Sequence, residues 1–168
     1  MSGPQRQRRI LVLGLGNPDR GDDGIGAAVV AKLEGRLPTG VALRARSGDM
    51  LSLIEDWAGF EAVICVDAAA PMGEPGRIHR IDLARDEIPV GLTVPSSHAF
   101  GLAEAVALAR ALGCAPADIV AFAIEGLCFD GGAAMTPHVR EASGEAAAQI
   151  LAEISRLQHA CGKADRHA

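Results

Sequence analysis

The chain has 168 residues, 49% of them apolar and 22% charged, which is the balance of a single globular domain at about 150 residues per domain. Its net charge of −5 and its aromatic content of 3%, with no Tyr, exclude the basic surface or stacked aromatic platforms of nucleic-acid-binding proteins. The four cysteines lack C-x₂-C spacing, so neither a zinc ribbon nor a disulfide framework is predicted.

The two ends of the chain differ from its middle. Residues 1–8 and 158–168 are polar and without periodicity, so we predict tails on one α/β domain whose core covers about residues 9–157. No signal peptide is evident, and no apolar run is long enough to span a bilayer. We therefore expect a cytoplasmic protein that does not insert into membranes.

Strand-like and helix-like segments alternate along the core. The continuous apolar run 9–16 predicts a strand buried on both faces, and the four-residue spacing from Ile25 to Leu37 predicts a helix. Further strands are predicted at 41–46, 62–69, 77–82 (an edge strand) and 118–126, and further helices at 50–57, 100–113 and 137–157. For residues 86–98 we predict an irregular connection. This alternation predicts a mostly parallel sheet covered by helices on both faces.

The residues that follow the predicted strands are the first candidates for chemistry, because ligands of parallel α/β sheets bind at the carboxyl ends of the strands. Three polar groups occupy such places: the loop 16–24, Asp67 after an apolar run, and Ser96–His98 before the third helix. For Asp22 or Asp23 alone, capping of the first helix is the simpler interpretation. Because they are a pair on a Gly-rich turn, one can cap the helix while the other faces a cleft.

Asp67 and His98 each allow a structural and a functional interpretation. A carboxylate that closes an apolar strand must be hydrogen-bonded, paired or bound to a metal, and for Asp67 the structural and functional roles weigh equally. His98 by itself is most simply a structural histidine at a helix start, where the helix dipole keeps its imidazole neutral. A neutral imidazole is also the form that binds a metal ion.

Together, Asp23, Asp67 and His98 form a candidate metal-binding and catalytic set. They come from different βα units and can converge on one edge of the sheet. Two carboxylate oxygens and one imidazole nitrogen suit nickel or zinc and leave coordination positions open. Because no protein thiolate and no fourth ligand is evident, we expect no permanently bound structural metal, but a metal that arrives already bound to another molecule. Asp22 is a secondary candidate for a general base, and Asn17 for shaping the loop.

Other catalytic motifs are incomplete in this sequence. Asp19 stands where G-x-G-x-x-G needs its last glycine, and neither a P-loop nor an H-E-x-x-H motif occurs. Ser97 adjoins His98, but neighbours in sequence rarely orient for proton transfer, and no G-x-S-x-G elbow is found. Cys65 lies inside an apolar strand, where a thiol is usually inert.

Four segments occur in a characteristic order. They are ILVLGLGNPDRGDDGIG, AVICVDAAAPMGEPG, SSHAFGL, and DIVAFAIEG followed by a Gly-rich loop and TPHV. Their order and spacing over residues 9–157 resemble the endopeptidases that mature the large subunit of nickel–iron hydrogenases, whose opening reads G-x-G-N-x-x-x-x-D-[DE]-G-x-G and whose third block reads S-S-H-x-x-G-L. One minor departure is His138, where the family usually has Glu in a Ser-Pro-Glu-Val segment.

The resemblance implies a fold, an activity and a site. It implies a three-layer α/β sandwich with a twisted, mostly parallel five-stranded sheet. It implies an endopeptidase that removes a C-terminal extension from the hydrogenase large-subunit precursor once nickel is inserted. The family's metal-contacting residues fall on Asp23, Asp67 and His98, so the nickel would come with the substrate, and no organic cofactor is expected.

Two other functions stay open at this point. LGLGNP also resembles the opening of bacterial peptidyl-tRNA hydrolase, but the Tyr and the T-R-H-N segment of that family are absent here, as is a basic surface for RNA. A module that binds the nickel-loaded precursor without cutting it fits the same residues. A cleavage assay distinguishes this binding module from the endopeptidase.

Overall fold

Five strands and four α-helices alternate along the chain in the computed structural model, which describes residues 6–47, 49–86 and 101–164. The strands are β1 (Ile10–Leu15), β2 (Val41–Arg46), β3 (Ala62–Ala69), β4 (Ile78–Asp82) and β5 (Asp118–Glu125). The helices are α1 (Ile25–Leu33), α2 (Met50–Trp57), α3 (Leu102–Ala111) and α4 (Pro137–Ala164), and a short 3₁₀ helix spans Gly21–Gly24. None of the helices in these described ranges is long and apolar enough to cross a membrane.

The strands form one sheet in the order β2-β1-β3-β5-β4. All neighbouring pairs are parallel except β4 and β5, which are antiparallel, and β4 lies at the edge of the sheet as predicted. The four parallel strands therefore end at the same side, which we call the carboxyl edge. Antiparallel β4 begins at this edge.

Helices cover both faces of the sheet, which confirms the three-layer α/β architecture. Helices α1 and α4 pack on one face over apolar side chains such as Val12, Ile64 and Phe122. Helices α2 and α3 pack on the other face, where Trp57 and Leu13 belong to a second buried cluster. The central strands are buried on both faces because each presents apolar side chains to both helical layers, which is why their sequences read as continuous apolar runs.

The first helix is shorter than its apolar spacing predicted. It ends at Leu33, and the chain turns at Gly35, whose φ of +74° favours glycine. Leu37 still packs against the core, but from the connection that follows the helix. The helical spacing of Leu37 therefore indicated that this side chain is buried, but not that the helix extends to it.

The last helix is longer than predicted. The apolar stripe stops at Leu157, but α4 continues to Ala164, so most of the segment predicted as a C-terminal tail is helical. The added residues include good helix formers such as Gln158 and Ala160, and each extends an existing helix at little free-energy cost. At the other end, Arg8 of the predicted N-terminal tail forms a salt bridge with Asp118.

A buried ion pair joins the edge strand to the last helix. Glu153 of α4 is 5% exposed and accepts hydrogen bonds from Arg80 of β4, at 3.0 Å, and from Arg156. Burial opposes ionisation of Glu153, but the hydrogen bonds from the two arginines outweigh it and lower the pKa of this carboxyl below its ordinary value of 4.5.

We expect Glu153→Gln to destabilise the protein by about 1–3 kcal/mol at pH 7, because hydrogen bonds between charged groups are lost. A carboxyl with a lowered pKa in the folded state stabilises the fold above pH 4.5, and this contribution disappears as the pH falls through the lowered value. Urea unfolding should therefore show a difference in the free energy of unfolding between variant and wild type, and this difference should become smaller below pH 4.5. Glu145→Gln, at an exposed position of the same helix, should show no such difference, and a difference that does not depend on pH would contradict the ion-pair explanation.

Candidate functional site

Close packing of glycines brings the turn after β1 to the carboxyl edge. A methyl group at Gly26, in the first turn of α1, would lie 2.3 Å from the carbonyl oxygen of Leu15 and 2.9 Å from that of Val66. A methyl group at Gly14 of β1 would in turn lie 2.4 Å from the carbonyl oxygen of Gly26. The start of α1 therefore touches the backbone of β1 and β3, and the preceding 3₁₀ helix is held against the sheet.

We expect Gly26→Ala to destabilise the protein by about 3 kcal/mol, because the added methyl group meets backbone atoms that cannot move aside. Gly144→Ala is the matched control: it also places a methyl group on a helix, but at Gly144 no atom lies within 4 Å. That variant should be more stable than wild type by about 0.5–1 kcal/mol, because alanine favours the helix. Thermal unfolding of both variants measures these two changes in stability, which should have opposite signs. Equal changes in stability would contradict the close approach of α1 to the sheet.

Asp23 lies in the 3₁₀ helix and is only 3% exposed. Its Oδ2 accepts a hydrogen bond of 2.9 Å from the backbone N–H of Asn17. The Asn17 side chain accepts a bond of 2.9 Å from the N–H of Asp19, so Asn17 shapes this loop as predicted. Gly16 has a φ of +116°, and a methyl group there would lie 2.1 Å from the backbone oxygen of Asp23. The Gly-rich turn thus holds Asp23 in one position.

Asp67 lies in β3, two residues before the end of the strand, and is partly buried. Its Oδ1 accepts a hydrogen bond of 2.8 Å from the N–H of Ala68. Burial, and then the Asp23 carboxylate, raise the pKa of Asp67 to about 7. Asp23 and Asp67 therefore interact electrostatically at this edge of the sheet.

Two interacting carboxylates in a poorly hydrated place repel each other, and the repulsion disappears when one is protonated or a cation binds. Perturbed carboxyls of this kind are typical of functional sites. Asp23 and Asp67 offer hard oxygen ligands to a metal ion, or a general base to a water molecule. The arrangement can thus bind a cation and activate water.

Asp22 has a different role from its neighbour. It is fully buried, and its carboxylate accepts hydrogen bonds from the backbone N–H groups of Leu127, Cys128 and Thr136, at 2.7–3.0 Å, and from the Thr136 hydroxyl. Burial opposes ionisation of Asp22, but these hydrogen bonds outweigh it and lower its pKa. Its acceptor positions are filled, so Asp22 is an anchor for the loop after β5 and not a general base.

The expectation that one of the two aspartates caps the first helix is wrong. Gly24 is the N-cap of α1, and no side chain caps this helix. Asp22 instead binds the N–H of Thr136, directly before α4. Its partners are more than 100 residues away in sequence, at separations of 105 to 114, which is why local spacing suggested the wrong helix.

His98, the third predicted ligand, lies outside the described residues, as do Ser96 and Ser97. Within the ranges that the structure describes, no three His, Cys, Asp or Glu side chains form a group that could hold a metal ion. A metal ion bound by Asp23 and Asp67 would need further ligands from outside these ranges. His98 stays a predicted ligand.

No role was predicted from the sequence for Glu125, which lies at the end of β5. It is 1% exposed, and its Oε1 accepts hydrogen bonds from the N–H groups of Met72, at 2.5 Å, and Glu74, at 2.7 Å. The signal was the one used for Asp67: a carboxylate that closes an apolar strand requires a partner. Cys65, in contrast, is fully buried, and burial raises the pKa of its thiol, which agrees with an inert packing role.

Comparison with known proteins identifies the family. The HycI model of hydrogenase maturation proteases matches residues 47–153. The hydrogenase expression/formation protein HupD of Bradyrhizobium diazoefficiens is 32% identical over 161 residues, which is 91% of this chain and 83% of that protein. This chain belongs to the hydrogenase maturation proteases. The hydrogenase 2 maturation protease of Escherichia coli is 30% identical over 150 residues, which is 87% of this chain and 90% of that one.

Solved structures agree with this membership. The hydrogenase maturating endopeptidase HybD from E. coli aligns with a TM-score of 0.72 and 28% identity, covering 88% of this chain and 93% of that one. The α/β fold of this hydrogenase maturation protease is therefore that of HybD. The match also decides between the two resemblances of the opening segment, in favour of the hydrogenase proteases and against peptidyl-tRNA hydrolase.

Proposed function

We propose that this protease removes a C-terminal extension from the large-subunit precursor of a nickel–iron hydrogenase after nickel has been inserted, and that it recognises the bound nickel through Asp23, Asp67 and His98. The observation that supports the proposal most is the pair of interacting carboxylates at the carboxyl edge, with the pKa of Asp67 raised to about 7. An arriving cation would relieve the repulsion between them. Family membership supports the endopeptidase activity.

The chemistry of the ligands explains why the metal would come with the substrate. Asp23 and Asp67 supply only oxygen atoms, and the predicted third ligand His98 supplies nitrogen. Nickel in a thiolate environment would obtain its soft ligands from the precursor. The protease then binds only precursor that already carries nickel, so the metal acts as a checkpoint for cleavage.

Cleavage itself requires a water molecule directed at the peptide bond. A carboxylate oxygen of Asp23 or Asp67 that is not bound to the metal is able to accept a proton from that water. Asp22 is not available for this step, because its carboxylate oxygens are occupied by the loop after β5. We therefore assign proton transfer to the Asp23–Asp67 pair and the anchoring of the site to Asp22.

The test is to mix the purified protein with its matched hydrogenase precursor, either loaded with nickel or free of it, and to weigh the products by mass spectrometry. We expect loss of a C-terminal peptide from the loaded form alone. Equal cleavage of both forms would contradict the nickel checkpoint. If neither form is cleaved although the loaded one binds, the protein is a binding module and the proposed proteolysis is wrong.

A further inference from the structure

The connection between β3 and β4, residues 70–77, is bound to Glu125 by four hydrogen bonds. The carboxylate binds the N–H groups of Met72 and Glu74, and the backbone oxygen of Glu125 accepts a bond of 2.7 Å from Gly76. The N–H of Glu125 donates to Arg77 at 2.9 Å. Hydrogen bonds to an ionised carboxylate are stronger than those between neutral groups. One buried residue thus sets the conformation of this loop, which begins three residues after Asp67.

The loop presents an apolar side chain to solvent. Four large apolar side chains among the described residues are mostly exposed, and Met72 is one of them, with 52% of its surface exposed. Leu127, two residues after Glu125, is 55% exposed. Leu51, in the first turn of α2, also follows a strand that ends at the carboxyl edge, whereas Leu112 follows α3 at the opposite side of the sheet.

Met72 and Leu127 are fixed to the frame of the candidate site. The N–H of Met72 is bound to Glu125, and the N–H of Leu127 is bound to Asp22 at 2.8 Å, next to Asp23 in sequence. When a partner covers apolar side chains on backbone that is already ordered, the cost is limited to the rotamer freedom of those side chains, because the backbone has no further entropy to lose. Single exposed apolar side chains are common on protein surfaces, but these two are held by the same hydrogen-bonded frame beside the candidate site, where a polypeptide partner is able to cover both.

We propose that Glu125 is a positioning residue for the precursor: it holds the loop 70–77 so that Met72, together with Leu127, contacts an apolar side chain of the precursor chain that enters the site. The proposal rests on the proposed function, because the occupant is the substrate of that reaction. It assigns recognition of the polypeptide to residues other than Asp23, Asp67 and His98. Glu125 itself does not touch the reacting atoms.

The first experiment compares Met72→Ser with Leu112→Ser. Both replace an exposed apolar side chain, so neither should disturb the fold. We expect Met72→Ser to weaken binding of nickel-loaded precursor and to raise KM by about tenfold, with kcat within about twofold of wild type. Leu112→Ser should match wild type. Unchanged affinity in Met72→Ser, or an equal loss in Leu112→Ser, would overturn the proposal.

The second experiment tests whether Glu125 holds the loop 70–77 in place. In Glu125→Ala, the Met72 and Glu74 amides should exchange hydrogen faster, and KM should rise by about tenfold or more without a matching fall in kcat. Glu125→Gln keeps an acceptor oxygen and should recover part of the loss. Glu153→Gln is the control for a buried glutamate away from the site: it should lose stability but keep the wild-type KM. Faster exchange in Glu125→Ala with an unchanged KM would overturn the positioning role.

These outcomes are separate from failure of the proposed function. Wild-type protein that binds the loaded precursor without cleaving it would contradict the protease activity, and the dissociation constants of the variants would still decide the role of Glu125. Wild-type protein that cleaves, with variants that bind equally well, would contradict the positioning role alone. Wild-type protein that neither binds nor cleaves would contradict both.

Discussion

Replacement of Asp67 by asparagine is expected to reduce cleavage of the nickel-loaded precursor by at least about a hundredfold, because an electrostatic contact to the reacting centre is removed. The fold should be kept. Burial and the Asp23 carboxylate raise the pKa of Asp67 to about 7, so its ionised form destabilises the folded protein at pH 8, and an uncharged side chain of the same shape removes that cost. Activity and stability should therefore change in opposite directions, or stability should not change at all.

Cleavage rates and urea unfolding at pH 8 measure the two effects in the same samples. Asp23→Asn should give a similar loss of cleavage, because it removes the other member of the pair. Asp130→Asn serves as the control, since Asp130 is exposed on the loop after β5 and should keep full activity. If Asp67→Asn cleaves at the wild-type rate, or if it and Asp23→Asn fail to fold, the assignment of the pair to catalysis is wrong.

Replacement of Asp22 by asparagine or alanine is expected to cause the largest loss of stability at this edge, about 3–5 kcal/mol for alanine. The alanine variant leaves the buried N–H groups of Leu127, Cys128 and Thr136 without an acceptor. In the asparagine variant, either orientation of the amide places its NH₂ group against a backbone N–H, because both carboxylate oxygens accept such bonds. Asparagine is therefore a poor substitute in spite of its similar shape.

Thermal and urea unfolding measure this loss, and Asp23→Asn provides the comparison at the neighbouring position. Among the described residues, Asp23 accepts one backbone hydrogen bond, from Asn17, which an asparagine oxygen is able to accept as well. We expect Asp22→Asn to be clearly less stable than Asp23→Asn. Equal stability of the two variants would contradict the anchoring role of Asp22.

Cleavage by any Asp22 variant that still folds gives a second test. The proposed chemistry lies with Asp23 and Asp67. The activity of an Asp22 variant, relative to wild type, should therefore equal the fraction of its molecules that are folded. An Asp22 variant that is folded but inactive would indicate a direct role in catalysis. The two neighbouring aspartates are thus distinguished by opposite effects on stability and activity.

Periodicity in the sequence was sufficient to predict the architecture. Apolar runs such as 9–16 and 62–69 gave the strands, and their alternation with helical stripes gave a mostly parallel sheet with the edge strand β4. The carboxyl edge then followed, because the four parallel strands end on the same side of the sheet. These features were predictable because burial of apolar side chains sets strand and helix positions, and parallel strands end on one side.

The individual roles of the acidic residues depended on tertiary structure. Asp22 and Asp23 are neighbours in sequence, but only Asp22 binds backbone groups that lie 105 to 114 residues further along the chain. The role of Glu125 likewise depends on hydrogen bonds from the backbone N–H groups of Met72 and Glu74, which lie 53 and 51 residues before it in the chain. The sequence by itself determined where the strands lie and which polar residues stand at or near their carboxyl ends. Whether such a residue anchors a loop or faces the site was decided by the hydrogen-bond donors that folding brings to it, because a buried carboxylate takes its role from its partners and not from its neighbours in the chain.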